Sequence, residues 1–331
     1  MITIIGSLNY DLVTYTNKVP EAGETYSANS FENHLGGKGL NEALACARLS
    51  KNAANHVRMV GNVGSDGFGK ELRQALVDAK VDTKYIQTLN DVPSGVAVIL
   101  VETSGENRIL ITAGANGELK PSDADYEQYF GDQSGSCDYV VLQNEYPHTR
   151  QSIEWIKKNR PSINIAYNPS PYKSELITLE LLLQIDMLIV NEGEALDVAS
   201  SVLHESELGT FKKTIAKDEV AGFSQLAEKL QGMLDPNNIA VTIITMGSKG
   251  SVSVGKNESV CFAKSLKVDT VVDTTGAGDT FFGGIVLQLS SGATLQEAVK
   301  FSTTASSLAI QKKGAAEGIP FYDEVVAHIN N

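Results

Sequence analysis

Five short apolar runs constrain this chain more than any other feature: Thr3–Ile5, Tyr139–Gln143, Asn164–Tyr167, Met187–Val190 and Val241–Thr245. Each is close to uniformly apolar instead of alternating. A strand wetted on one face alternates, whereas a strand covered on both faces has no need to. The runs therefore predict strands of a mostly parallel sheet with helices on either side. Helical patterns lie between them, as over 70–80, where Leu72, Ala75, Leu76 and Ala79 share a face. The alternation is that of an α/β sandwich. The 331 residues suit one large α/β domain, or a domain with a small appendage.

Two segments break the alternation. Gly95–Glu102 and Asn107–Thr112 flank the turn 103–106 and read as an antiparallel hairpin. Residues 12–34 are rich in Thr, Tyr, Asn and Pro without helical period. Together they suit a small sheet standing off the main domain, or a hairpin packed onto the main sheet. Residues 204–220 are polar and charged and read as a surface insertion.

Charge narrows the partners. A net charge of −13 argues against nucleic acid and anionic membrane. Any anionic ligand must then be held by local dipoles and a few cations. Cys46, Cys137 and Cys261 show no C-x-x-C spacing, so they predict neither a disulfide framework nor a zinc site, and read as small buried residues of a reducing compartment. The start of the chain does not read as a signal peptide, and no stretch approaches membrane-spanning length. The expectation is a cytoplasmic protein, with nuclear access left open.

Two glycine-rich loops carry the chemistry. The first is Asp273-Thr-Thr-Gly-Ala-Gly-Asp279, leading into an apolar helical stretch, Thr280–Ser290. A helix start exposes unpaired N–H groups at the positive end of the dipole, and glycines let an oxygen-rich group approach. A carboxylate there would repel a merely bound phosphate. It makes sense if Asp279 takes a proton from a hydroxyl while the N–H groups of Gly276, Ala277 and Gly278 stabilise a phosphoryl group in transfer. The alternative is an ordinary turn with Asp279 as a first-turn acid. The second loop, Leu35-Gly-Gly-Lys38-Gly-Leu-Asn41, also opens a helical pattern (Leu40, Leu44, Ala47) and supplies a lysine and an asparagine. It is not a Walker A loop, and the chain has no G-x-G-x-x-G run and no G-x-S-x-G elbow.

This pair of loops resembles the two signatures of the ribokinase family of carbohydrate kinases. Further matching elements follow in the family's order: Gly6-Ser-Leu-Asn9-Tyr-Asp11, Gly61-Asn-Val-Gly64-x-Asp66 (read as a turn), Asn191-Glu-Gly-Glu194, Thr245-Met-Gly247-Ser-Lys-Gly250 and Lys312-Lys-Gly314-Ala315. The resemblance covers essentially the whole chain. It implies a single three-layer α/β/α domain over 1–331, with a β-sheet lid from about 12–34 and 93–114 that in several members also pairs subunits into a homodimer. It implies ATP-dependent phosphorylation of D-ribose at its 5-hydroxyl, with ribose and ATP as the partners, Mg²⁺ accompanying ATP, and K⁺ as an activating ion.

Residue by residue, the resemblance assigns Asn9, Asp11, Gly37, Lys38, Asn41, Glu145 and Asp279 to the sugar. Asn191, Thr245, Gly247, Gly250, Gly278 and Thr303 go to the nucleotide, and Glu194 to the Mg²⁺ network. Asp273, Thr275, Ala309, Lys312 and Gly314 go to a monovalent cation. Two departures stand out: Gly318 occupies a position where the family commonly has a serine, and Thr303 replaces an adenine-flanking His or Asn. Alone, Asn9 and Asp11 also read as turn residues, Asn41 as a first-turn helix residue, Glu145 as a strand-end charge, and Asn191 with Glu194 as a helix cap. Another sugar or nucleoside kinase, or a sugar-binding protein without catalysis, are the competing functions.

Overall fold

The computed structural model describes residues 1–51, 57–104, 106–131 and 138–330. Cys137 lies outside them. The strands are β1 (Ile2–Ile5), β2 (Asn9–Thr16), β3 (Ser30–Gly36), β4 (Val57–Gly64), β5 (Asp82–Leu89), β6 (Gly95–Glu102) and β7 (Asn107–Thr112), followed by β8 (Tyr139–Leu142), β9 (Asn164–Tyr167), β10 (Met187–Asn191), β11 (Val241–Thr245), β12 (Gly250–Val254) and β13 (Cys261–Lys264).

Nine of these form the main sheet, in the order β13-β12-β11-β10-β9-β8-β1-β4-β5. The strands from β11 to β5 run parallel, and β12 alone runs against them, pairing antiparallel with both β11 and β13. Successive side chains of a strand point to opposite faces, and here both faces are covered. Ile2 and Ile4, Tyr139 and Val141, and Met187 and Ile189 enter one apolar cluster, with Leu40 and Leu44 and residues of the Ala277–Ser290 and Leu295–Ala309 helices. Ile5, Val140 and Leu142, and Leu188 and Val190 enter the other, with Tyr126, Ile153, Ile156 and Leu226. This is the three-layer sandwich, and it explains why the central strands read as unbroken apolar runs.

Strand order reverses at β1. The chain winds from β1 through β4 to β5, then returns to β8 on the other side of β1 and proceeds outward to β11. Side by side, the carboxyl ends of β1 and β8 form the switch point where an open α/β sheet leaves a crevice for ligands.

A second sheet of four strands, in the order β3-β2-β6-β7, stands beside this crevice. The hairpin read from sequence is β6 with β7, register Val98↔Leu110. The sheet starts earlier than expected, at Asn9, so Asn9 and Asp11 are strand residues and not turn residues.

Two other readings change. Gly61–Gly64 belongs to buried β4, and Asp66 caps the Gly67–Asp78 helix by accepting from Gly69 N–H at 2.7 Å. The polar stretch 204–220, read as a surface insertion, is largely helical. Glu205–Lys217 is a helix that buries Leu208 and packs on the Glu219–Gln231 helix. No helix among the described residues is long and apolar enough to cross a membrane.

Candidate active site

The two glycine loops meet. Gly37 N-caps the Lys38–Arg48 helix with φ 90°, and a Cβ there would lie 2.7 Å from Asn9 N, so only glycine fits without strain. This helix places Lys38 and Asn41 on its first turn, facing Asp279 in the first turn of the Ala277–Ser290 helix. Asn41 Nδ2 donates to Asp279 Oδ2 at 2.8 Å, and Lys38 Nζ donates to Asp279 Oδ1 at 3.4 Å. Both carboxylate oxygens of Asp279 are thus oriented by side chains more than 230 residues away in sequence. Burial pulls the Lys38 ammonium down, but Asp279, Glu145, Glu42 and Glu194 together hold it above its usual range.

Gly276 caps the second helix at φ 75°, its α-carbon face against Ala315. Ala277 N–H turns to the Thr274 carbonyl at 3.3 Å. At Gly278 a Cβ would meet nothing within 4 Å, so the space over the helix start is open. An N-terminus with open space and no side chain over it suits a phosphoryl group.

Among the sugar candidates, Asn9 and Asp11 are 5% and 9% exposed and, two residues apart on β2, share a face. Gly36 leaves room for the Asp11 carboxylate, which any Cβ there would strike. Burial, and then the carboxylates of Glu145, Glu317, Asp279 and Asp273, push the Asp11 carboxyl up to about 7. Glu145 follows β8 across the switch point. Its Oε2 accepts from Ser7 Oγ and from Lys38 N–H at 2.9 Å, so it fastens the glycine loop to the sheet as well as facing the crevice. A cavity of about 380 Å³ is lined by Asn9, Ile111, Asn116, Glu145, Tyr146 and Lys173, among others.

The nucleotide candidates line up along the same edge. Asn191 and Glu194 form a reciprocal capping box, Glu194 N–H to Asn191 Oδ1 at 2.8 Å and Asn191 N–H to Glu194 Oε2 at 3.0 Å. Thr245 ends β11, and Gly247 (φ 53°) and Gly250 (φ 131°) shape the loop after it. Thr303 lies further off, in a cavity of about 320 Å³ between β13 and the Leu295–Ala309 helix, with Lys264, Lys300, Cys261 and His328.

Three segments converge at the cation candidates. Asp273 Oδ1 accepts from Thr275 N–H (2.9 Å) and Oγ1 (2.6 Å), while Oδ2 accepts from Gly314 N–H at 3.0 Å. Val272 and Asp273 N–H both reach the Ile310 carbonyl. The carboxylate of Asp273 and the carbonyls of Thr275, Ala309, Lys312 and Gly314 are hard oxygen donors suited to an alkali cation. Gly318 lies against them: a Cβ would come 3.0 Å from Ala309 O.

Sequence reading missed three groups that build the site. Ser7 and Asn116 act through partners 138 and 108 residues away, for which no local pattern exists. Behind Asn41, fully buried Glu42 accepts from Gln143 Nε2, and Glu42 Oε1 and Gln143 Oε1 have no partner among the described residues. Burial, and then Asp279, raise the Glu42 carboxyl well above the usual range. One proton shared between those two orphan oxygens would satisfy both, giving a neutral acid–amide pair.

A two-layered helical covering, a switch-point crevice and a carboxylate between glycine loops define a phosphotransferase site on a doubly wound sheet. The chain belongs to the pfkB family of carbohydrate kinases, whose model matches residues 1–321. Among curated relatives it is 34% identical to a ribokinase of Lactococcus lactis over 332 residues (99% of this chain, 96% of the relative) and 31% identical to a ribokinase of Schizosaccharomyces pombe over 331 residues (99% and 98%). The structure of Arabidopsis thaliana ribokinase complexed with ribose and ATP superposes with a TM-score of 0.81 at 28% identity, covering 100% of this chain and 98% of that one.

Proposed function

We propose that the chain is a ribokinase, transferring the γ-phosphoryl group of ATP to the 5-hydroxyl of D-ribose. One observation carries the reading: Asp279 stands at an open, glycine-lined helix N-terminus and is gripped by Lys38 and Asn41 of the second glycine loop. Asp279 takes the hydroxyl proton as O5 attacks the γ-phosphorus. The bond to the β-bridging oxygen breaks, and ADP leaves. Charge building on the phosphoryl oxygens meets the N–H groups of Gly276 and Gly278, with Ala277 N–H released from Thr274 as the loop closes on the phosphate. Positioning does most of the work in this class, and a base contributes roughly 10²–10⁴-fold.

Asn9, Asp11, Gly37, Lys38, Asn41 and Glu145 hold the sugar. The small sheet acts as a lid over it. Asn191, Thr245, Gly247, Gly250, Gly278 and Thr303 border the nucleotide, and Glu194 would act through water on the Mg²⁺ accompanying ATP, which would neutralise phosphate charge. The Asp273, Thr275, Ala309, Lys312 and Gly314 oxygens would hold K⁺, which supplies fixed positive charge beside the anion loop. We also read the lid as a homodimer contact, since edge strand β7 exposes Ile109, Leu110 and Ile111 at 51%, 71% and 60%. Light scattering at micromolar concentration tests this, with a monomeric mass counting against it. Cytoplasmic location, with nuclear access, completes the proposal.

The test is ADP release with Mg-ATP across D-ribose, 2-deoxyribose, fructose, ketodeoxygluconate and adenosine, for wild type and Asp279→Asn. Ribose-dependent turnover lost in the variant, with ribose binding retained, is expected. Faster turnover on another substrate would overturn the assignment to ribose while keeping the base.

A further inference from the structure

We infer that Asn116 is a positioning residue that sets which end of the Asn9 amide faces the sugar, making Asn9 a hydrogen-bond donor to substrate. The inference rests on the sugar site proposed above. Asn116 is 1% exposed in the short turn after β7, with Gly114 at φ 51° bending the chain there. Its own polarity is fixed, because it pairs twice with a backbone whose donor and acceptor cannot exchange. Leu8 N–H donates to Asn116 Oδ1 at 2.9 Å, and Asn116 Nδ2 donates to the Leu8 carbonyl at 3.0 Å.

The second hydrogen on Asn116 Nδ2 points to the Asn9 side chain at 2.8 Å. That hydrogen can only be donated to an acceptor, so Asn9 must turn Oδ1 inward. Gly95 seals that side, since any Cβ would collide with both Asn116 Nδ2 and Asn9 Oδ1. The Asn9 amino group is therefore the end left for the cavity that Asn9, Asn116 and Glu145 line. Asp11, on the same face of β2, offers acceptors. The wall thus reads neighbouring hydroxyls with opposite polarity, Asn9 through their lone pairs and Asp11 through their hydrogens.

Asn116 acts through Asn9, so its effect must vanish when Asn9 has no amide. The experiment uses the full-length protein at pH 8 with D-ribose, comparing wild type, Asn116→Asp, Asn9→Ala and the double variant. Replacing the donor at 116 with a carboxylate reverses the preferred Asn9 orientation. KM for ribose should rise roughly 10- to 100-fold, the penalty for a mismatched buried polar contact, with kcat and KM for ATP within about twofold. In the Asn9→Ala background the same change should leave the ribose KM where Asn9→Ala alone puts it. An equal rise in both backgrounds, or an unchanged KM in Asn116→Asp, would overturn the inference while wild-type turnover of ribose keeps the functional reading. Parallel losses in kcat, ATP KM and melting temperature would also overturn it, reducing Asn116 to a structural role. A wild type that turns over none of the sugars would remove the functional reading, and the inference with it.

Discussion

Asp11→Asn should make the ligand-free protein more stable and the enzyme worse. Asp11 sits 9% exposed, among the carboxylates of Glu145, Glu317, Asp279 and Asp273, with its own carboxyl raised from 3.8 to about 7. The sign follows from linkage. An acid whose folded value lies above its unfolded value favours the fold while protonated, and that contribution is lost as pH climbs from 3.8 through about 7. Three decades of proton affinity amount to about 4 kcal/mol at pH 8, and about 2 kcal/mol at pH 5.5. An amide of the same shape carries no such cost. For a chain of 331 residues the gain corresponds to roughly 6 °C in melting temperature at pH 8 and roughly half that at pH 5.5. Melts of both proteins without sugar or nucleotide at the two pH values measure it. The ribose KM of the wild type should also rise as pH falls through about 7, because only the ionised carboxylate is acceptor-only toward hydroxyls, while Asp11→Asn should show a high KM that is flat with pH. Equal melting temperatures at pH 8, or an advantage independent of pH, would refute the reasoning.

The glycines separate folding from catalysis. Gly278→Ala has open space around it and should melt no lower than wild type, yet lose about 10²–10³-fold in kcat as its methyl group occupies the phosphoryl position. Gly37→Ala, forced to φ 90° against Asn9 N, should cost about 1–3 kcal/mol of stability and raise the ribose KM, both readable from melts and steady-state kinetics. Glu42→Gln should be more stable than wild type in alkaline denaturation, because the raised Glu42 carboxyl loses its favourable protonated state as pH rises; identical profiles would mean that Glu42 is already ionised in the fold. Gly318→Ser should increase the ratio of K⁺- to Na⁺-supported turnover by adding an oxygen beside the Ala309 carbonyl, and an unchanged ratio would remove that position from the ion's shell.

The parts of the fold legible in sequence were those whose burial is uniform. Strands β1 and β8–β11 lie between two helix layers, so each reads as an apolar run, and the expected limits fall within a residue or so of the observed ones. β4 is equally buried but carries Arg58, Gly61 and Asn62, which hides it: the Arg58 guanidinium is spent on the Tyr129 carbonyl and Asp82. β5 forms the sheet edge and shows mixed exposure without a clear run. The helix at Glu205–Lys217 buries Leu208 alone, too little for a 3.6-residue period to show. In the site, glycine loops announce themselves because their requirement is local backbone geometry. Ser7 and Asn116 do not, because their roles exist only once β1, β2, β7 and β8 are brought together.

The bland and the functional readings of several residues turn out to be compatible. Asn191 and Glu194 make an ordinary capping box, and Asp279 is an ordinary first-turn acid. A helix N-terminus is an anion site whether or not its cap is polar, so a residue that stabilises the helix end is also well placed to face a phosphate. What distinguishes Asp279 is its surroundings. Lys38 lies among Asp279, Glu145 and Glu194, with the buried Glu42 carboxyl behind them, so its positive charge is already matched more than once. On the proposed reading, the wall that would meet ATP is then net negative at the sugar end and relies on neutral N–H donors at the phosphate end. Such a site is a poor host for a bare triphosphate, and a suitable one for a triphosphate that brings Mg²⁺ with it and for a loop backed by a monovalent cation at Asp273. On the proposed reading, this surplus of carboxylates, more than any single residue, makes a metal-bound nucleotide and a fixed cation the complement the pocket would need.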